Sequence, residues 1–396
     1  MSKIKSLSAL VIMFFTMLLL GGLSSTKGIV LDEVERDIGL DLSQFGLVVF
    51  IFQLGFVLAS VIIGYFTDKR GVKVMMVIGC IIMGAGLLGT GLAQTIAFFL
   101  GFYLIVGFGL GAMTVASNAI VPAVYPEKQG TMFNIAMGIY GFGMFIFPIV
   151  LKMMFSNEIS WRYFYIGIAI LLIALIFYVL SVKLPEGEVD KVNLSAFKEM
   201  LGQYHFILVM IFLIFYVSAE VSFLNFFPTY LKDLTLGGAS EAAKNSMVAT
   251  IISVFSLCFT VGRLAGGWLI NMLGERMLLL SFSALSLVFV TISKVFVDDW
   301  VYLFGIAGLF FSVLFPTATA IGTKLSRTGG SALGLVYVAA GIGGAFAGWI
   351  VGVVSEAYGS DAGFNLPIVF LAILLVLSFF IRTPGTTESA EGKRKA

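Results

Sequence analysis

The chain has 396 residues, 59% of them hydrophobic and 12% charged, with a formal net charge of +2 and a single histidine. Soluble domains carry about 25% charged residues, so a soluble fold is excluded, and a charge this close to zero gives no electrostatic footprint for nucleic acid. Cys80 and Cys258 lie far apart inside apolar runs, without disulfide or metal-ligand spacing, and His205 alone leaves little material for histidine chemistry.

Lys3 and Lys5 ahead of the apolar run Leu7–Leu23 imitate a secretory signal, with Gly21-Gly22-Leu23-Ser24-Ser25 as a mock cleavage site. The run is long for a signal and many similar runs follow, so it is read as the first of a series of membrane helices. A bilayer core of about 30 Å takes roughly 20 apolar residues per helix. On that basis the runs are Leu7–Val30, Gln44–Phe66, Val72–Ala93, Ala97–Val121, Gly130–Phe155, Trp161–Val182, His205–Leu231, Ala242–Leu273, Met277–Val297, Trp300–Thr323, Gly329–Ser355 and Phe364–Ile381. The first helix is expected to continue past Val30, because Asp32–Ile38 still has helical composition. Loops are short except for the polar stretch Lys183–Tyr204, read as a linker. The expected fold is an all-α membrane protein of twelve helices in two pseudo-twofold-related six-helix bundles. Its parts are an N-terminal bundle (1–182), a linker (183–204), a C-terminal bundle (205–382) and a polar tail (383–396).

Placing both termini in the cytoplasm puts most Lys and Arg of the short loops inside, among them Lys69, Arg70, Lys73, Lys128, Arg276, Lys324 and Arg382. The expected location is therefore the cytoplasmic membrane, with the lipid bilayer as solvent.

An internal repeat fixes the architecture. The loop after the second run reads Gly64-x3-Asp68-x-Arg70-Gly71-x-Lys73, and the loop after the eighth reads Gly267-x3-Asn271-x2-Gly274-x-Arg276. Gly267 follows Gly64 by 203 residues, and the same offset pairs Gly138 with Gly341 and Gly141 with Gly344. Two six-helix halves of like orientation place a solute site near the midplane. In the loop, glycines allow a sharp turn and close helix approach, and Asp68 has the charge to face a helix N-terminus. Lys69, Arg70 and Lys73 suit an anionic inner surface.

This paired loop resembles the signature of the major facilitator superfamily, and the resemblance covers the whole chain. It implies that the loops help set the balance between outward-open and inward-open states, with Asn271 making the second copy the weaker latch. Arg263, in Val261-Gly262-Arg263-Leu264, is read as part of the inner gate, where similar transporters carry an arginine.

Ionisable groups inside the bilayer cost about 2.5–3.5 kcal/mol on insertion scales and are functional candidates. Glu220 lies midway along the seventh run with Tyr216 on its face. It is read as a proton-coupling acid, with solute binding without titration and a structural role as alternatives. Asn225 precedes Pro228, which is expected to break the outer end of that helix. Lys27 either faces Glu220 or an acidic solute from the first helix, or snorkels outward. For an uncharged solute, Thr114, Ser117, Asn118, Asn134 and Tyr140 supply amides, hydroxyls and an aromatic face of the kind sugars take.

Phe215-Tyr-Val-Ser-Ala-Glu220-Val-Ser-Phe, Gly107-Phe-Gly-Leu-Gly111 followed by Ala116-Ser-Asn118-Ala, and Phe133-Asn134-Ile-Ala resemble the fucose–glucose–galactose permease group. The resemblance implies a hexose-type solute, protons as coupling partner, no cofactor and a monomer. It also shows a departure: the acids that such permeases carry in the first and fourth helices fall here on Gly28 and Thr114, so coupling would rest on Glu220. A facilitative uniporter and a proton-driven exporter of lipophilic compounds stay open. No zinc-protease helix, phosphate-binding loop or nucleophile elbow is present, which argues against an enzyme or an ATP-driven pump.

Overall fold

A computed structural model describes residues 3–39, 42–182, 184, 195–234, 240–326 and 328–383. Among them, twelve helices are long and apolar enough to cross a membrane, one for each expected run. They are α1 (Lys3–Ile38), α2 (Leu42–Arg70), α3 (Val72–Leu92), α4 (Ile96–Asn118), α5 (Gln129–Ser156) and α6 (Trp161–Ser181). After a short helix at Ser195–Gly202 come α7 (Tyr204–Asp233), α8 (Glu241–Leu273) and α9 (Glu275–Val295). Then come α10, in two pieces (Leu303–Phe311 and Leu314–Lys324), α11 (Gly329–Tyr358) and α12 (Leu366–Phe380). α1 does continue past Val30, to Ile38. The starts of α4, α6 and α8 are capped by Thr95, Ser160 and Ser240, whose hydroxyls accept from Phe98, Arg162 and Ala243 N–H.

The helices form two compact units. The first comprises Met1–Gln129, Ala136–Lys198 and Ser326–Val338; the second comprises Gly130–Ile135, Glu199–Leu325 and Ala339–Ala396. The first unit thus includes the opening turns of α11, and the second includes the opening turns of α5.

In the first unit α2 lies against α4 at backbone distance. A Cβ on Gly107 would sit 2.1 Å from Phe52 O, and one on Gly111 would sit 2.5 Å from Phe56 O. In the second unit α8 lies against α10 in the same way: a Cβ on Gly308 would sit 2.3 Å from Phe255 O. Phe52 and Phe255 are again 203 residues apart, whereas Gly107 and Gly308 are 201 apart, so the contact recurs with a two-residue shift on the glycine helix. Helices in lipid gain little from hydrophobic exclusion and associate through such close approaches of small residues.

Each unit also has an aromatic core. In the first, Phe99 stacks on Tyr103 at 5.2 Å between ring centroids and meets Trp161 edge-on at 6.0 Å. In the second, Phe223 stacks on Phe255 at 5.0 Å, and Tyr230 stacks on Phe364 at 4.3 Å. Trp161 and Phe364 are a further pair at the repeat offset.

The proline expectation is corrected. α7 runs through Pro228 without interruption. Interruptions fall instead in the fourth span, which pauses at Ala119 and resumes over Ile120–Val124 with Pro122 lacking the N–H for Asn118 O, and in α10, where Pro316 lacks the N–H that would reach Ser312 O one turn earlier. The chain is non-helical at Ser312-Val313. Pro228 leaves one carbonyl without its usual donor, yet the surrounding turns of α7 hold.

Candidate functional site

The repeated turn has the same backbone in both copies. Gly71 adopts φ 84°, ψ 157° and Gly274 adopts φ 76°, ψ 156°. This region of backbone space is essentially closed to residues with a Cβ, which accounts for glycine at both places. Two turns earlier, Gly64 meets the start of α11: its Cβ would lie 2.6 Å from Gly330 O. In the second unit, a Cβ on Gly267 would lie 2.6 Å from the Thr131 side chain at the start of α5.

Asp68 is the polar centre of the first copy. Its Oδ1 accepts from Gly330 N at 2.7 Å and its Oδ2 from Ser331 N at 2.6 Å. These are orphan donors of the first turn of α11, and a carboxylate there also meets the positive end of the helix dipole. Asn271, the repeat mate of Asp68, is exposed and has no hydrogen-bond partner among the described residues. The charge contact of the second copy lies elsewhere: Glu275 Oε1 takes Lys324 Nζ at 2.6 Å, and the same oxygen stands beside Gly130.

The basic members act at the opposite helix ends. Lys73 Nζ donates to Leu180 O at 3.0 Å and Val182 O at 2.8 Å, at the C-terminus of α6. Arg276, its repeat mate, donates to Phe379 O at 3.2 Å, at the C-terminus of α12. A cation on free C-terminal carbonyls is the favourable pairing with the helix dipole. Sequence reading assigned Lys73 to the membrane surface; the carbonyls that Lys73 and Arg276 reach, Leu180 and Phe379, are 199 residues apart and fall outside the offset of 203, so the repeat alone did not mark them. Arg70 is exposed at the end of α2.

The candidate solute residues fall into separate groups. In the first unit Asn118 is fully buried; its Nδ2 donates to Thr114 O at 2.9 Å and to Tyr337 Oη at 2.9 Å. Asn118 Oδ1 has no donor among the described residues. Thr114 Oγ1 donates back to Leu110 O at 2.7 Å. Tyr337 was missed by sequence reading, although it is the repeat mate of Asn134. Tyr140 lies on α5 where its carbonyl meets Gly21 of α1.

In the second unit, Glu220 lies one turn after Tyr216 on α7, and Arg263 of α8 reaches the same stretch of α10 as Tyr216. Tyr216 is fully buried and donates to Phe311 O at 3.1 Å. Arg263 donates from Nε to Ser312 O at 3.4 Å and lies 4.0 Å over the Phe259 ring. Arg263 therefore sits at the interruption of α10, about three turns before the Gly274 turn. Asn134 packs against Gly266 and donates to Gly130 O at 2.9 Å, within the opening turns of α5. Asn225 is exposed on α7. The Lys27 side chain lies outside the described residues.

With this geometry in view, comparison with known proteins gives the class. The family model of the Major Facilitator Superfamily matches residues 10–326 and 242–396, and the chain belongs to that superfamily. It is 25% identical over 395 residues to the glucose/galactose transporter of Brucella abortus (strain 9-941), covering 93% of this chain and 92% of that one. It is 23% identical over 403 residues to the L-fucose-proton symporter of Escherichia coli K12, covering 90% and 89%. The crystal structure of the E. coli fucose:proton symporter shares its fold at a TM-score of 0.81, with 17% identity over 96% of this chain and 100% of the other. These relatives are transporters, not enzymes.

Proposed function

We propose that the protein moves a hexose-type sugar across the cytoplasmic membrane by alternating access, coupled to protons through Glu220. The relatives named as a glucose/galactose transporter and an L-fucose-proton symporter support the solute class. The observation that carries the coupling is Glu220 in the middle of α7, an acid inside a membrane span one turn from buried Tyr216, with buried Arg263 of α8 as the cation whose field reaches it. With Glu220 ionised, acid and guanidinium cancel; with Glu220 protonated, the cluster holds one net positive charge. A step of one charge at an internal, partly exposed site is what a transport cycle needs to sense a proton.

The sugar would be held by groups that satisfy hydroxyls. Asn118 Oδ1 is a buried acceptor lacking a donor among the described residues, and such a group is costly until a partner arrives. Thr114 and Tyr337 flank it. Asp68 on the first turn of α11 supports the gating role read for the repeated loop, as a clasp made in one state and released in the other. Both termini in the cytoplasm, halves at 1–182 and 205–382, and a monomer as the working unit belong to the same reading.

Uniport is favoured by one observation, that Gly28 and Thr114 stand where such permeases carry acids in the first and fourth helices. Uptake of labelled glucose, galactose and fucose into proteoliposomes tests the proposal. Saturable uptake above that of empty vesicles supports it. Flat results across the three sugars, together with raised tolerance of expressing cells to hydrophobic dyes, would replace it with export.

A further inference from the structure

The end of α1, the end of α3 and the start of α6 meet at one guanidinium. α1 outlasts its apolar run, which stops at Thr26 while the helix continues to Ile38. Asp37 lies beyond Thr26 by about 16 Å of helix at ~1.5 Å per residue, in the polar stretch that begins at Asp32. Its Oδ2 accepts from Trp161 Nε1 at 3.0 Å and from Arg162 Nε at 3.2 Å, and Arg162 Nη2 lies 3.0 Å from the same oxygen. Arg162 Nη1 turns the other way and donates to Gly91 O at 3.2 Å and to Ala93 O, at the end of α3. A cation in the first turn of α6 opposes the dipole of that helix, so the carboxylate and the free carbonyls of α3 are what hold it there. Gly91 permits the approach: a Cβ there would stand 3.0 Å from Arg162 O.

The second unit builds the corresponding junction with its charges moved. The offset of 203 pairs Gly91 with Lys294, Trp161 with Phe364 and Arg162 with Asn365. The cation now sits on α9, the counterpart of α3. Lys294 Nζ donates to Asn365 Oδ1 at 2.7 Å and Asp361 O at 2.8 Å, and pairs with Asp361 Oδ1 at 3.0 Å. Both partners precede α12, so these charges tie α9 to α12. α7, the counterpart of α1, is held by rings: Tyr230 stacks on Phe364 at 4.3 Å, with Lys294 Nζ 5.3 Å above its ring. Tyr230 is 1% exposed, whereas the Asp37 side chain is 44% exposed.

We infer that Asp37, Trp161 and Arg162 form an ion-sensitive clasp that fixes the end of α1, and that the end of α7 is fixed without one. Nothing in this depends on which solute is carried or on Glu220. In its middle α1 meets α5 at backbone distance, where a Cβ on Gly143 would stand 2.1 Å from Leu18 O. The clasp fastens the length of α1 beyond that crossing. Dissolved ions compete for it, cations screening Asp37 and anions screening Arg162. High salt therefore frees the end of α1 and leaves the end of α7 in place. Asp37, Trp161 and Arg162 are positioning residues, acting through α1. The other charges of this turn are Glu33 and Arg36, paired with each other at 2.8 Å.

The test follows amide hydrogen exchange of Val34–Ile38 and of Phe227–Leu231 in the full chain in lipid nanodiscs, with no solute present. Raising NaCl from about 0.1 M to about 1 M shortens the Debye length from about 10 Å to about 3 Å. Exchange of Val34–Ile38 should quicken roughly threefold, the scale of a partly exposed ion pair, and Phe227–Leu231 should stay unchanged. Asp37→Asn should quicken the α1 segment at low salt and remove its salt response, whereas Glu33→Gln should keep that response. Trp161→Phe, which keeps a ring and loses the indole donor, should loosen the segment and leave it salt-sensitive. Tyr230→Leu should quicken the α7 segment without making it salt-sensitive. A salt response that survives Asp37→Asn in full would belong to Glu33 and Arg36 and would overturn the clasp. An α1 segment indifferent to salt, or an α7 segment that responds as strongly, would overturn it too.

Discussion

Replacing Asp68 by asparagine should release the first turn of α11. The carboxylate accepts two backbone N–H groups, from Gly330 at 2.7 Å and Ser331 at 2.6 Å. Hydrogen bonds to a charged partner contribute about 1.5–3 kcal/mol each, and a negative charge at a helix N-terminus adds about 0.3–1 kcal/mol. Asparagine keeps one acceptor, loses the charge and turns an NH2 toward a donor. The net loss is therefore about 2–4 kcal/mol, or roughly 30- to 700-fold in a local opening equilibrium at about 1.4 kcal/mol per decade. Amide hydrogen exchange of the segment from Gly329 to Gly334 reads this directly, in nanodiscs, by mass spectrometry. Asp68→Asn should accelerate it at least tenfold, while Asn271→Ala should leave the start of α5 unchanged, because Asn271 is exposed and without a partner among the described residues. Retained slow exchange at Gly330 and Ser331 in Asp68→Asn would refute the capping argument.

Three further outcomes follow from the same geometry. Gly71→Ala and Gly274→Ala each force a Cβ into a glycine-only backbone region and should cost about 1–3 kcal/mol; the apparent melting temperature of the purified protein should fall in both, and an unchanged melt would deny the strain. Lys73→Met and Arg276→Met uncap the C-termini of α6 and α12 at a cost of about 0.3–1 kcal/mol each, whereas Lys73→Arg should keep most of the stability; a Lys73→Arg loss as large as that of Lys73→Met would argue against the carbonyl contact. Asn118→Ala and Tyr337→Phe should each weaken hexose binding several-fold in equilibrium titration, and the double variant should lose less than the sum, since the two side chains share one hydrogen bond. Additive losses would separate them.

The membrane helices and the repeat were open to reading because they rest on one-dimensional signals. Runs of about 20 apolar residues mark spans, and a fixed offset marks duplication; Gly71 and Gly274 show that the offset is kept even in backbone angles. What stayed hidden depends on which carbonyl lacks a donor. Pro228 and Pro316 look alike in sequence, and α7 continues through the first while α10 opens at the second. The difference lies in Tyr216, Gly262 and Arg263, which meet the α10 interruption from helices distant in the chain. Tyr337 was missed for a related reason: its partner Asn118 is 219 residues away, and only the repeat relation to Asn134 singles it out from other tyrosines.

The central claim, that sugar movement carries a proton through Glu220, is tested most directly by sugar-induced proton flux. Purified protein in weakly buffered proteoliposomes, given an inward hexose gradient, should raise the external pH as protons enter with the sugar, and Glu220→Gln should abolish that signal while sugar-for-sugar exchange continues. Hexose entry with no pH change, or an undiminished change in Glu220→Gln, would contradict the account.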